Sequence, residues 1–229
     1  MATLKSLRSD IDEVGVLAVS FYWLGRVLKA LKFGRCGFYL IMGVDLKQVI
    51  HGPSRRHEEP FVLEPLLVGH RLREQLDAPM DVIDQRYESG ACCHALLTAQ
   101  GDLDGAIWSK RGTFEEDEFR AIFDLPTDAV WDFGVFIPPA RRAGRSLSRL
   151  WQGFATTMSK SGVARSISRI EVHNRASLRA HKRLPHSELG KLAIVRIGAL
   201  EVALSTLKPK LHISWSSTMA PRYDLRAVL

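Results

Sequence analysis

The apolar residues of this chain alternate between short runs and helical stripes. Cys36 to Val44 (CGFYLIMGV) and Ala129 to Ile137 (AVWDFGVFI) are runs whose length and aromatic content fit buried strands. Between residues 146 and 160 the apolar positions 147, 150, 151, 154 and 158 recur at helical spacing. Ala91 to Ala99 predicts a strand, Gln100-Gly101-Asp102 a hairpin turn, and Leu103 to Lys110 the antiparallel partner. Shorter strands are expected at 61 to 65, 168 to 172, 191 to 197, 199 to 205 and 210 to 216. Helical stretches are expected at 8 to 33, 146 to 160 and 175 to 182, with helical or turn-like pieces at 68 to 76 and 81 to 88. The acidic run 115 to 118 reads as the solvated start of a polar helix. The succession strand, turn, helix, strand, helix, strand implies an α/β fold (α+β, mixed sheet) with a crossover helix.

A polar, turn-rich segment at 51 to 60 (HGPSRRHEEP) sets a soft boundary. Residues 1–56 are expected to form an N-terminal helix and strand extension packed on a main domain of residues 57–229. Ser9 or Asp10 would cap the first helix and Gly34 would stop it. Its apolar core, Val14 to Gly25, is about half of the roughly 20 residues a membrane span requires. It fits a buried amphipathic helix, or a surface helix whose Arg26, Lys29 and Lys32 snorkel. Residues 1 to 12 are mixed in charge and carry no leader pattern, so a cytoplasmic location is expected, with peripheral membrane attachment as the alternative.

Composition narrows the classes further. With 229 residues, 46% hydrophobic and 25% charged, the chain is neither disordered nor collagen-like. Cys36, Cys92 and Cys93 form no disulfide framework, and Cys92 and Cys93 would point to opposite faces of a strand. His57-Glu58 lacks the second histidine of a zinc motif, so no metal is expected. His94 fits a core histidine, Trp108, Trp131 and Trp151 fit packing residues, and Ser146 and Ser148 lack a nucleophile elbow. The net charge of +7 is concentrated between residues 139 and 191, where twelve basic residues face only Glu171 and Glu188.

That region begins with Pro138-Pro139-Ala140-Arg141-Arg142-Ala143-Gly144-Arg145-Ser146, between a strand and a helix. A strand that feeds small residues into a helix presents unpaired backbone N–H groups at the positive end of the helix dipole, an arrangement that binds phosphate. Arginines there add charge-assisted hydrogen bonds. Further on, Asn174, Ser177 and His181 follow at intervals of three and four, a spacing that places them on one helix face.

On these two motifs the chain resembles the Gcn5-related N-acetyltransferase (GNAT) superfamily. In that family a strand ends in Pro and is followed by [RQ]xxGx[GA], matched here by Arg141, Gly144 and Ser146. The second pattern, NxxAxxxYxxxGF, is matched by Asn174 and Ser177, with His181 in the tyrosine position and Pro185-His186 in place of Gly-Phe. The resemblance is sharpest over 130 to 185, looser over 61 to 200, and silent on 1 to 50.

The resemblance implies a GNAT-like acyl-CoA N-acyltransferase fold and direct acyl transfer from acetyl-CoA or another acyl-CoA to a primary amine. The acceptor could be a small molecule or a protein. Backbone groups of Phe136 and Ile137 would contact the acyl and pantetheine portion, and Arg141, Arg142, Ala143, Gly144, Arg145 and Ser146 the pyrophosphate. Asn174 and Ser177 would lie along the pantetheine arm, with His181 protonating the thiolate. Asp132 would be the general base, Glu171 its alternative, although Asp132 also reads, and rather more readily, as a hydrogen-bonded structural residue, and His181 as a surface histidine. A basic face of this kind would also suit an acyl carrier protein or an anionic membrane as partner. It would suit nucleic acid too, but no nucleic-acid-binding signature accompanies it, so none is expected.

Overall fold

The computed structural model describes residues 16–30, 33–51, 61–142 and 144–228. The expected caps at Ser9 and Asp10, the segment 52–60 with His57-Glu58, and Ala143 lie outside the described residues. The chain divides into two compact units. One comprises Met1–Gly43, Thr113–Asp124 and Arg169–Leu229, the other Val44–Gly112 and Leu125–Ser168.

The second unit carries the strands β2 (Val62–Leu66), β3 (Cys92–Leu97), β4 (Leu103–Arg111) and β7 (Ala129–Phe136), with the first residues of β8 (Arg165–Glu171). They hydrogen-bond in the order β8-β7-β4-β3-β2. The expected hairpin is present: β3 and β4 pair antiparallel, and Gly101 takes the positive φ that closes the turn. From β7 the chain runs through the helix α4 (Ser146–Lys160) and returns as β8 parallel to β7, with Ala129 opposite Arg165. This is the crossover that the apolar spacing of 147 to 158 anticipates, with Leu150, Trp151, Phe154 and Met158 buried. β7 ends where Pro138 and Pro139 cannot donate to a ladder.

One face of this sheet lies under α4, where the Phe154 ring meets His94 edge-on. The other face packs against α3 (Met80–Glu88) and the 3₁₀ turn Arg71–Gln75, burying Leu66, Leu72, Leu76, Ile83, Cys93, Ala106, Trp108 and Phe136 in one cluster. The short helix α2 (Leu46–His51) packs against α4.

The first unit contains the helix α1 (Val16–Ala30), then β1 (Gly34–Asp45), β9 (His186–Ile197), β10 (Leu200–Ser205) and β11 (Leu211–Ser214), in the order β11-β10-β9-β1. The helix α5 (Arg175–His181) also belongs to it, its Leu178 packed with Met42 and Ile170. The strand expected at 36 to 44 is thus hydrogen-bonded into a sheet beside β9.

The acidic run corrects one expectation. Residues 115 to 118 start no helix; β5 (Thr113–Glu115) and β6 (Ile122–Asp124) form a small sheet with β12 (Arg222–Asp224). Phe114, Phe119, Ala121 and Phe123 are buried, so the segment follows its aromatic residues. Glu116 is not solvated either. Its carboxylate is buried and takes both nitrogens of a fork from Arg169. Burial works against the Arg169 charge, and the Glu116 hydrogen bonds outweigh it, holding the guanidinium above its ordinary value.

Candidate functional site

The densest chemistry of the second unit lies along β7 and the turn that leaves it. β4 pairs with β7 antiparallel, but Trp108 stands opposite Phe133 while Ala106 stands opposite Phe136. β7 therefore carries one extra residue, a β-bulge. Gly134 supplies the conformation, with φ at +57°. A Cβ there would come within 2.9 Å of Trp108 Cδ1, so geometry and space both require glycine. A bulge interrupts the ladder and frees backbone groups just before Phe136 and Ile137. An isolated glycine within an apolar run was the signal for it.

After the bulge, Pro139–Arg141 forms a 3₁₀ turn, and Arg142 Nε donates to the Ile137 carbonyl at 3.0 Å. α4 then starts with Arg145 at its N-cap, no side-chain cap hydrogen bond and no acidic residue in its first turn. The positive end of the helix is left to whatever anion reaches it. Arg141, Arg142, Gly144 and Arg145 are exposed there. A Cβ on Gly144 would meet only the Arg141 carbonyl, at 3.4 Å, so the approach to the backbone is open.

Ser146, the departure from the glycine or alanine of the motif, is buried. Its hydroxyl donates to Asp104 Oδ1 at 2.8 Å, and Arg141 Nε lies 3.7 Å from the same oxygen. Asp104 thus ties both ends of the turn to β4. Nothing in the sequence around it announces this role.

The local arrangement is the one that the resemblance to the GNAT superfamily implies: a proline-terminated β7, a turn carrying Arg141 and Gly144 at the motif spacing, an α4 without a side-chain cap, and the parallel return in β8. No protein-family model matches the sequence, and no curated protein matches it. Among solved structures, the chain is similar to a conserved protein of unknown function from Staphylococcus epidermidis, with a TM-score of 0.51 and 10% identity over 75% of this chain and 66% of that one. It is also similar to a GCN5-related N-acetyltransferase from Sphaerobacter thermophilus, with a TM-score of 0.45 and 14% identity over 74% of this chain and 54% of that one. A GCN5-related N-acetyltransferase from Kribbella flavida gives a TM-score of 0.39 and 8% identity over 71% of this chain and 59% of that one. The chain spans less than two thirds of the length of each of the three.

The remaining expected residues sit as follows. Asp132 is on the face under α4, 2% exposed, and accepts from Ser166 Oγ at 2.6 Å. Ser109 stands opposite it on β4, and His94 Nε2 lies 3.0 Å from Ser109 Oγ. These buried polar residues run from β3 to β8, inside the sheet–helix layer. Burial lowers the His94 pKa to about 4, so its ring is neutral.

In the first unit, Asn174 is the N-cap of α5, its Oδ1 accepting from the Ser177 N–H at 3.1 Å. The interval of three between them is therefore a capping interval. His181 is buried, and its Nδ1 lies 3.0 Å from the Ser177 carbonyl. A carbonyl only accepts, so that nitrogen carries the hydrogen, and Nε2 could give up a proton only from the imidazolium form. Glu171 is exposed at the end of β8. Among the described residues no group of His, Cys, Asp and Glu is arranged to hold a metal, and no helix is long and apolar enough to cross a membrane.

Proposed function

We propose that this protein is an acyl-CoA-dependent N-acyltransferase, with acetyl-CoA as the first donor to test. The observation that carries the reading is the continuous run from the bulge at Gly134 to the uncapped start of α4: freed backbone groups, then an open, cationic helix N-terminus. The first suits a thioester carbonyl, the second a pyrophosphate.

In this reading the N-terminal N–H groups of α4, with Arg141, Arg142 and Arg145, hold the pyrophosphate. Backbone groups near Phe136 and Ile137 orient the acyl arm and stabilise the oxyanion that forms when the amine attacks the thioester carbon. The carbon–sulfur bond then breaks, and the thiolate takes a proton. Holding donor and acceptor together supplies much of the rate, and no covalent enzyme intermediate is required. Glu171 as base and His181 as proton donor are carried from the resemblance alone, each to be tested by its own substitution. For Asp132 the burial and the Ser166 hydrogen bond favour a structural role.

The test is release of free thiol from acetyl-CoA and longer acyl-CoA thioesters in the presence of a panel of primary amines. Amine-dependent thiol release is expected with at least one donor. Its absence with every donor and acceptor, in a protein shown to be folded, contradicts the proposal.

A further inference from the structure

Arg86 on α3 is a charged group beside the bulge that neither the motifs nor the loop account for. Its guanidinium carbon lies 5.3 Å from the Trp108 ring centroid and 5.5 Å from that of Phe133. The two rings stack on each other, and Tyr87 meets Trp108 edge-on. The guanidinium thus lies over a floor of packed rings, and a side chain supported in this way loses less entropy when it binds. Its charge is also uncompensated: among the described residues no carboxylate or carbonyl bonds its nitrogens. Arg73, on the adjacent 3₁₀ turn, is the contrast, since it stacks on Tyr87 but is ion-paired with Asp84.

Gly134 places this cation at the reaction end of the candidate site. A Cβ at that position would stand 3.2 Å from Arg86 Nη1, and Gly134 is exposed, so the missing side chain leaves the edge of the guanidinium open. A planar cation with a free edge, on a rigid support beside the backbone proposed to hold the acyl group, is built for a carboxylate.

We propose that Arg86 binds a carboxylate of the acceptor, so that the acceptor is an amino acid or another carboxylate-bearing amine. This rests on the acyltransferase reading above. A phosphate of the coenzyme is the other source of a suitable anion, and the experiment separates the two.

The 229-residue protein, its Arg86→Gln variant and its Arg86→Lys variant are titrated with CoA, and separately with L-amino acids and their amides, following thermal stability. Acyl transfer to each acid and amide pair is measured in parallel. Expected results are equal CoA affinity in all three proteins, stabilisation by at least one amino acid but not by its amide, and loss of that stabilisation in Arg86→Gln. The acceptor KM should rise about ten- to a hundred-fold in Arg86→Gln with kcat largely kept, and Arg86→Lys should recover part of it. Equal response of the wild type to acids and amides overturns the proposal, as does an Arg86→Gln variant that keeps the preference. A fall in CoA affinity in Arg86→Gln overturns it in favour of the coenzyme phosphate. Failure of the wild type to bind CoA refutes the acyltransferase reading instead, while the amino-acid titration still decides for or against carboxylate binding at Arg86.

Discussion

Gly134 and Gly144 look alike in the sequence, yet they make opposite demands. At Gly134 a side chain is opposed by a left-handed backbone and by Trp108, so Gly134→Ala is expected to cost at least about 1–2 kcal/mol in denaturant unfolding. At Gly144 an added methyl meets only ordinary contact, so Gly144→Ala should change stability little and a bulky residue there should act mainly on ligand binding. Asp132 is expected to behave as a structural group. Replacing it by Ala leaves the buried Ser166 hydroxyl without this acceptor and should cost about 1–3 kcal/mol of stability. His94 brings a pH dependence. Its folded pKa, about 4, lies below the ordinary value of 6.5, so the unfolded chain binds the proton more readily. Its contribution is complete above pH 6.5 and is lost as pH falls towards 4. Urea unfolding across that window should show the decline in the wild type and a shallower one in His94→Gln.

The extent to which the elements were legible follows from where their determinants lie. α4 and β7 were readable because the apolar spacing of 147 to 158 and the run from Ala129 are local, and the prolines mark the end of β7. The loop of the candidate site was readable for the same reason, since backbone N–H groups at a strand-to-helix turn need only the right local residues. The 115 to 118 segment was not, because the partner that lets Glu116 be buried is Arg169, 53 residues away. Asp104 and Arg86 were silent likewise: one is defined by Ser146, the other by Trp108 and Phe133, all distant in sequence. The Arg169–Glu116 pair carries its own prediction. Arg169→Ala leaves a buried carboxylate without its arginine and should cost about 3–5 kcal/mol, read from the urea midpoint, while the isosteric double change to apolar residues should recover part of the loss.

At the scale of the whole molecule, the net charge of +7 is a poor guide until it is resolved along the chain. Residues 139 to 191 carry +10 and the rest −3, and the excess begins at the turn that opens α4. Coenzyme binding should therefore weaken as salt rises, through screening of the exposed arginines. That turn is proposed to hold the pyrophosphate of coenzyme A. Calorimetric titration of CoA into the wild type and into Gly144→Phe tests it. Saturable binding by the wild type, with at least a tenfold loss in a Gly144→Phe variant of unchanged melting temperature, is the predicted result. Equal affinity of the two proteins, or no binding by the folded wild type, contradicts it.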